Sequence, residues 1–541
     1  MTWRINGVTL DIGEKEDVLP GRLAALLGIE KKAILSLVVL RRSIDARRSR
    51  PPRWTYLLEI RLAEKSNRRL NPEQVKAGIT VDEIPEGASM TVVRPPAVTP
   101  AFRDKPVVIG SGPAGLFAAL TLAKRGVPVV LLERGGPVEE RVVDVERFWE
   151  KGILNAESNV CFGEGGAGTF SDGKLTSRAK NPLAAEVKKT LVDMGAPAEI
   201  LIDAHPHIGT DRLRRVVKNI RKHLIDFGCD IRFHSHVTDF IVRHGRISGV
   251  VVNESTEIMA RHLILATGQS AGDTYERLAG LGVAMAPKAF AMGVRVEHPQ
   301  ELINEIQYGR WAGHPDLPPA EYFLTAHLKD TGRAVYSFCM CPGGSVIGCS
   351  EAGGGLVTNG MSFLKRDGGY ANSAIVVNVR PEDVGGEGPL AGLGFRVHWE
   401  KAAFAAGGAD YRAPVERITV FMTGRKPLPV ERCSYRPGIR EADLSGVLPL
   451  FVVEALRRGF KEFEKKMPGF VTEEAVLIGV ETRTSSPVRI TRGPDGQSVT
   501  VKGIFPCGEG AGYAGGIISS ALDGIKAAEN VMAASGSQKT N

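Results

Sequence analysis

Residues 107–135 read VVIGSGPAGLFAALTLAKRGVPVVLLERG, and the fold turns on how this stretch is punctuated. VVIG is a short β-branched run suited to a buried strand. Gly110, Gly112 and Gly115 then make a GxGxxG turn, Pro113 and Ala114 open a helix, Gly126 closes it, and VPVVLLE supplies a second strand. That order predicts a βαβ unit. The first glycine permits the tight turn, the second lets a pyrophosphate approach the backbone, and the third lets the helix pack against the strand. The anion rests on the helix N-terminus, where unpaired N–H groups and the positive end of the dipole meet it. Glu133 closes the second strand 23 residues after Gly110, placing a carboxylate where a ribose hydroxyl can donate to it. The stretch predicts a dinucleotide site and leaves open whether NAD or FAD fills it.

Around it lies a chain of 541 residues, 43% hydrophobic and 24% charged, the composition of a large globular protein of two or three domains. The first residues mix acids and bases without the apolar core of a signal peptide, and no apolar run approaches the roughly 18 residues of a membrane span. A cytoplasmic protein is expected. Seven cysteines show no CxxC spacing, and their odd number argues against a disulfide framework; reduced thiols and no metal site are expected. The net charge of +8 is uneven: residues 1–100 carry 17 Lys and Arg against 12 Asp and Glu, many of them in RRSIDARRSRPPR at 41–53.

Residues 1–95 read as strand, helix, strand, strand, helix, strand, with the second helix at PEQVKAGI and the last strand at SMTVVRP. This predicts a small α+β module, ferredoxin-like in order. Four prolines in RPPAVTPAFRDKP, residues 94–106, then read as a linker. The α/β, Rossmann-like nucleotide-binding domain is expected at 96–274 and again at 436–541, interrupted by a discontinuous α+β substrate domain at 275–435.

The far end of the chain bears on the cofactor. GIFPCGEGAGYAGGIISSALDGIKAAENV, residues 503–531, is a second strand, glycine turn and helix. HSHVTDFIVRHGRISGVVVNESTEIMARHLILATG reads as a strand, a turn at HG and a return strand into Ala266, Thr267 and Gly268, or as a plain β-meander ending in a small-residue turn. NVCFGEGGAGTFSDGKLTSR, residues 159–178, is rich in glycine and carries Gly165, Gly166 and Thr169, with Ser171, Asp172, Lys174 and Thr176 as polar groups. It reads as a loop facing a flat ring or as a phosphate cradle on its own. Arg134 and Arg141 complete the candidate cofactor residues.

These motifs, with GVRVEHPQ, CPGGSVIGCSEAGG and TNGMSF, resemble the bacterial family of uncharacterised FAD-dependent dehydrogenases within the glutathione-reductase-like flavoprotein superfamily. The resemblance implies non-covalent FAD and oxidoreductase chemistry, with NAD(P)H as a possible co-substrate. It implies that Glu509 after Gly508 binds the ribityl and pyrophosphate region, where the superfamily usually has Asp. It also implies that the backbone near Val237 caps adenine and that Ala266–Gly268 passes the pyrophosphate. The helix beginning at Gly516 and Ile517 aims its N-terminus at the flavin's pyrimidine end. Gln269 and Gly272 depart from the family's HSARD, which removes a histidine there.

In the expected substrate domain, alternation puts Arg295 and Glu297 of GVRVEHP on one strand face, as a binder of an acidic substrate or a structural ion pair. Cys339, Cys341 and Cys349 have poor spacing for a disulfide relay and lack a fourth zinc ligand, so they read as packed thiols near the flavin. Asn359, Ser362 and Lys365 read as pocket lining or as a surface loop. No catalytic residue is assigned. The function expected is hydride transfer between flavin and an unidentified small molecule. The alternative is a flavoprotein whose arginines at 41–53, followed by Trp54 and Tyr56, bind RNA.

Overall fold

Alternation within very short strands builds the nucleotide-binding unit. In Val107–Ile109, Val130–Leu132, Leu263–Leu265 and Ile504–Pro506 the middle residues Val108, Leu131, Ile264 and Phe505 point to one face, and the outer residues to the other. The computed structural model describes residues 2–47, 50–63, 78–84, 102–176, 181–426 and 428–536. In it these strands and Asp230–Arg232 form a parallel sheet ordered Ile504–Pro506, Leu263–Leu265, Val107–Ile109, Val130–Leu132, Asp230–Arg232. Both faces are covered, as a parallel sheet requires. The helices Pro113–Ala123 and Ile517–Gly536 pack on one side, and the three-stranded meander Val237–Arg243, Arg246–Val252, Thr256–Met259 on the other. The meander's first turn uses His244 and Gly245, both at positive φ, as a two-residue hairpin demands.

A second, larger sheet runs Thr325–Leu328, Arg333–Gly348, Tyr370–Val379, Phe290–Pro299, Val476–Glu481, Ala413–Arg417, Ile439–Glu441, with Thr358–Met361 paired to Arg333–Gly348. The amphipathic helix Leu450–Lys466 buries Val452, Val453, Leu456, Phe460 and Phe463 in the core of this unit. Two of its strands, Ile439–Glu441 and Val476–Glu481, lie beyond residue 435, where the sequence reading ended the unit. They belong to it because Val476–Glu481 pairs directly with Phe290–Pro299.

The amino-terminal unit has strands Thr2–Asp11, Ile34–Asp45, Arg53–Leu62 and Thr80–Ile84, and a helix Leu19–Leu27. Its antiparallel sheet is ordered Ile34–Asp45, Arg53–Leu62, Thr2–Asp11, Thr80–Ile84. The expected strand SMTVVRP and most of the expected helix PEQVKAGI lie outside the described residues. Thr80–Ile84, an unforeseen strand, pairs with Thr2–Asn6. The edge strand Ile34–Asp45 docks onto the nucleotide-binding unit through Arg42, whose N–H donates to the Ile202 carbonyl and whose carbonyl accepts from Ala204 N–H. Among the described residues no helix is long and apolar enough to cross a membrane.

Candidate functional site

The glycine turn lies where the parallel sheet reverses its strand order, with Val130–Leu132 on one side of Val107–Ile109 and Leu263–Leu265 on the other. Crevices at such switch points hold ligands. Gly110 adopts φ +96, and a Cβ there would collide with the Ala266 carbonyl; one on Gly115 would collide with the Gly110 carbonyl. Gly112 differs: nothing stands nearer its missing Cβ than the Gly166 Cα, at 3.9 Å. Gly112 also heads the helix Pro113–Ala123, whose N-terminus has no side-chain cap. The first N–H groups of a helix have no partner within it. An open glycine at an uncapped helix N-terminus fits a pyrophosphate.

Two further turns close on this one. Gly508, at φ +76, approaches so near that a Cβ would lie 2.8 Å from the Ala114 Cβ, and its N–H donates to Asp523 Oδ2 at 2.8 Å. Arg492 holds that aspartate at 2.7 Å. A Cβ on Gly510 would collide with the Gly268 carbonyl, so Gly508–Gly510 is wedged between the helix start and the Ala266–Gly268 turn that contains Thr267. Glu509 between them is half-buried, and its Oε1 accepts from Gln269 Nε2 at 2.9 Å. Burial pushes its carboxyl up to about 7, against the pull of Lys288 and Arg396. Gln269, which the sequence marked only as a departure, is a hub: its Nε2 also donates to the Arg483 carbonyl at 2.8 Å, and its Oε1 accepts from Arg396 Nη1 at 3.0 Å.

The loop 159–170 lies over the glycine turn. Gly165 N–H donates to the Ser111 carbonyl at 3.0 Å, a Cβ on Gly166 would sit 3.0 Å from the Gly112 Cα, and one on Gly168 would sit 3.6 Å from Ile517 Cγ1. The helix that follows Gly516 starts beside this loop. Thr169 turns its hydroxyl inward to the Glu164 carbonyl at 3.1 Å.

Three expected cofactor contacts take other partners. Glu133 Oε2 accepts from Ser111 N and Oγ at 2.9 and 2.6 Å, and Oε1 from Gly135 N and Gly163 N at 3.0 and 2.9 Å. A carboxylate offers about four acceptor positions, so this one is occupied by the chain's own turns rather than held open for a ribose. Arg141 is fully buried and donates to the carbonyls of Asn159, Val160, Gly163, Glu164 and Gly166, which makes it the internal strut of the loop. Arg134 pairs with Glu157 at 2.9 Å and Asp273 at 3.1 Å and stacks over Phe162. Val237 opens the meander opposite Val252, beside a register shift.

On the larger sheet, Arg295 and Glu297 are both buried but do not pair. Arg295 takes Glu481 at 3.0 Å, with Asn372 Oδ1 at 2.8 Å and Asn359 Oδ1 at 3.3 Å, whereas Glu297 accepts from Ser434 N–H at 2.9 Å. Burial pushes the Glu297 carboxyl up to about 7. Ser362 and Arg366 bind the buried Asp172, Arg366 at 2.7 Å, and Lys365 is exposed. Arg483 bridges Glu351 and Glu400, the latter at 2.8 Å, on the border between the two units. Cys349 does not group with Cys339 and Cys341; its sulfur faces Cys161. In the amino-terminal unit Arg47, Arg50 and Arg53 gather around Asp45 at 2.7, 2.8 and 4.0 Å, and Arg42 pairs with Asp203 at 2.6 Å. Arg48 lies outside the described residues. A cleft of about 540 Å³ opens between Arg47, Arg50, Tyr308, Arg310 and Trp311.

Residues 105–143, which contain the glycine turn, match the FAD binding domain model, and the chain is an FAD-binding flavoprotein. Residues 289–484 match the model of the FAD-dependent protein C-terminal domain, and residues 3–61 match a domain of unknown function. An uncharacterised protein of Clostridium beijerinckii is 45% identical over 534 residues, 98% of this chain and 99% of that one. The chain belongs to the same family of FAD-dependent proteins as that relative. Distant likenesses include a geranylgeranyl bacteriochlorophyll reductase-like protein of Thermoplasma acidophilum, at 13% identity, covering 80% of this chain and 79% of that one, TM-score 0.34. The glycerol-3-phosphate dehydrogenase of Bacillus halodurans, complexed with FAD, shows 12% identity, covers 80% and 64%, and has TM-score 0.36.

Proposed function

We propose that the protein is an FAD-dependent oxidoreductase that exchanges a hydride with a small organic substrate at the border between the parallel sheet and the larger sheet. The observation that carries this reading is the meeting of Gly110–Gly115, Ala266–Gly268 and Gly508–Gly510 around one uncapped helix N-terminus. When bound, FAD supplies two-electron acceptance, and the protein's part is orientation and electrostatics. Gly112 and the first turn of Pro113–Ala123 hold the pyrophosphate. Glu509, with a carboxyl whose pKa is near 7, keeps a proton below neutrality and releases it above, beside the Gln269 amide. Arg396 and Arg483 supply positive charge from the larger unit's side.

The GxGxxG spacing recurs at Gly163–Gly168 and Gly510–Gly515, but both stretches close on the same crevice as Gly110–Gly115, which supports electrons coming from the substrate rather than from a nicotinamide docked on a separate turn. The test is anaerobic mixing of the yellow holoprotein with NADH, NADPH and a panel of metabolites while the visible flavin band is followed. Bleaching by an organic metabolite, with slow or no bleaching by either nicotinamide alone, is expected. Rapid bleaching by NADPH alone would recast the protein as a nicotinamide-dependent reductase.

A further inference from the structure

Cys161 lies in the loop over the glycine turn, and Cys349 at the end of Arg333–Gly348 in the larger sheet. They are 188 residues apart in sequence, yet their sulfurs stand 3.4 Å apart across the seam between the two units. Both backbones are fixed. Cys161 N–H donates to Asn159 Oδ1 at 2.9 Å, the adjoining carbonyls are held by Arg141, and Cys349 N–H donates to the Val357 carbonyl at 2.8 Å. The sulfurs need close by only about 1.4 Å to reach bonding distance.

We propose that Cys161 and Cys349 form a redox-active dithiol, oxidised to an internal disulfide by a low-molecular-weight disulfide. The roles are unequal. Cys161 is partly exposed, whereas Cys349 is buried. The bond to Cys349, then the nearby Arg483 guanidinium and Ser270, hold the Cys161 thiol below its ordinary range, and the same contact with burial pushes Cys349 up. The thiolate is the attacking species, so Cys161 attacks first. Its sulfur displaces one half of the incoming disulfide as a thiolate and forms a mixed disulfide. Cys349 then gives up its proton and attacks the Cys161 sulfur, releasing the second half. Two protein thiols are oxidised and one small disulfide is reduced to two thiols, so electrons and protons balance. The new bond ties the loop over the glycine turn to the larger sheet.

The test treats folded holoprotein with glutathione disulfide as the probe, alkylates the remaining thiols and maps peptides by mass spectrometry. Loss of two thiols with a Cys161–Cys349 linked peptide is expected. Cys349→Ser should stop at a mixed disulfide on Cys161, and Cys161→Ser should keep its remaining thiols. A bond between other cysteines, a mixed disulfide that persists in the unaltered protein, or an unmodified Cys161 would overturn the proposal. The map of the unaltered protein decides by itself if either variant fails to fold.

Discussion

Replacing Glu133 by Gln separates scaffolding from cofactor contact. The carboxylate receives four hydrogen bonds, two at each oxygen, from Ser111, Gly135 and Gly163, and the residue is buried. Glutamine turns one oxygen into an NH₂ group. Aimed at Gly135 and Gly163, that group would confront two backbone donors. Aimed at Ser111 it meets one backbone donor and a hydroxyl that can rotate to accept, so the amide adopts this second orientation. One buried N–H then loses its acceptor, and the bonds that survive lose their ionic component. At about 1.5–3 kcal/mol for a hydrogen bond to a charged group, with further loss from the neutralised bonds, the apoprotein should be less stable by about 2–4 kcal/mol. Urea unfolding of protein stripped of flavin measures this. An apoprotein as stable as the unaltered one, with only FAD affinity reduced, would refute the scaffolding role and return Glu133 to the ribose.

Gly110→Ala should fail more severely, since the new methyl collides with the Ala266 carbonyl at a backbone φ of +96; the variant should be poorly soluble or colourless on purification. Glu297 makes the larger unit sensitive to alkali. Its folded pKa, about 7, lies above the ordinary 4.5, so its contribution is fully present below 4.5 and is lost as pH rises through 7. Urea midpoints should therefore fall across that window in the unaltered protein and fall less in Glu297→Gln. Arg47→Ala with Arg50→Ala should leave RNA retention unchanged in a gel shift, because Asp45 already gathers these side chains. Sub-micromolar RNA binding that the double variant loses would give the amino-terminal unit a nucleic-acid role.

What could be read in the sequence was local. The βαβ unit announces itself through a β-branched run, glycine spacing and an alanine-rich helix, and the meander through its HG turn. The small-residue runs at Ala266–Gly268 and Gly508–Gly510 are legible because only small residues allow backbones to pass so closely. Partner choice was not legible. Alternation puts Arg295 and Glu297 on one face, but the neighbouring strand brings Glu481 to Arg295 across a register shift that no local pattern encodes. Arg141 and Glu133 sit where a cofactor is expected, and only the folded loop reveals that its carbonyls and N–H groups have already engaged them. Cys161 and Cys349 have no spacing signature, being joined by tertiary packing alone. No local pattern near residue 435 reveals that the strands past it complete a sheet begun far earlier.

The central claim is that FAD is held at the turn of Gly110, Gly112 and Gly115. Equilibrium titration of FAD into apoprotein, followed by flavin fluorescence, tests it most directly when the unaltered protein is compared with Gly112→Val. Valine fills the one open position on the helix N-terminus without demanding a forbidden φ, so the variant should fold with an unchanged circular dichroism spectrum and bind no FAD. A folded variant that binds FAD as tightly as the unaltered protein would place the cofactor elsewhere and contradict the account.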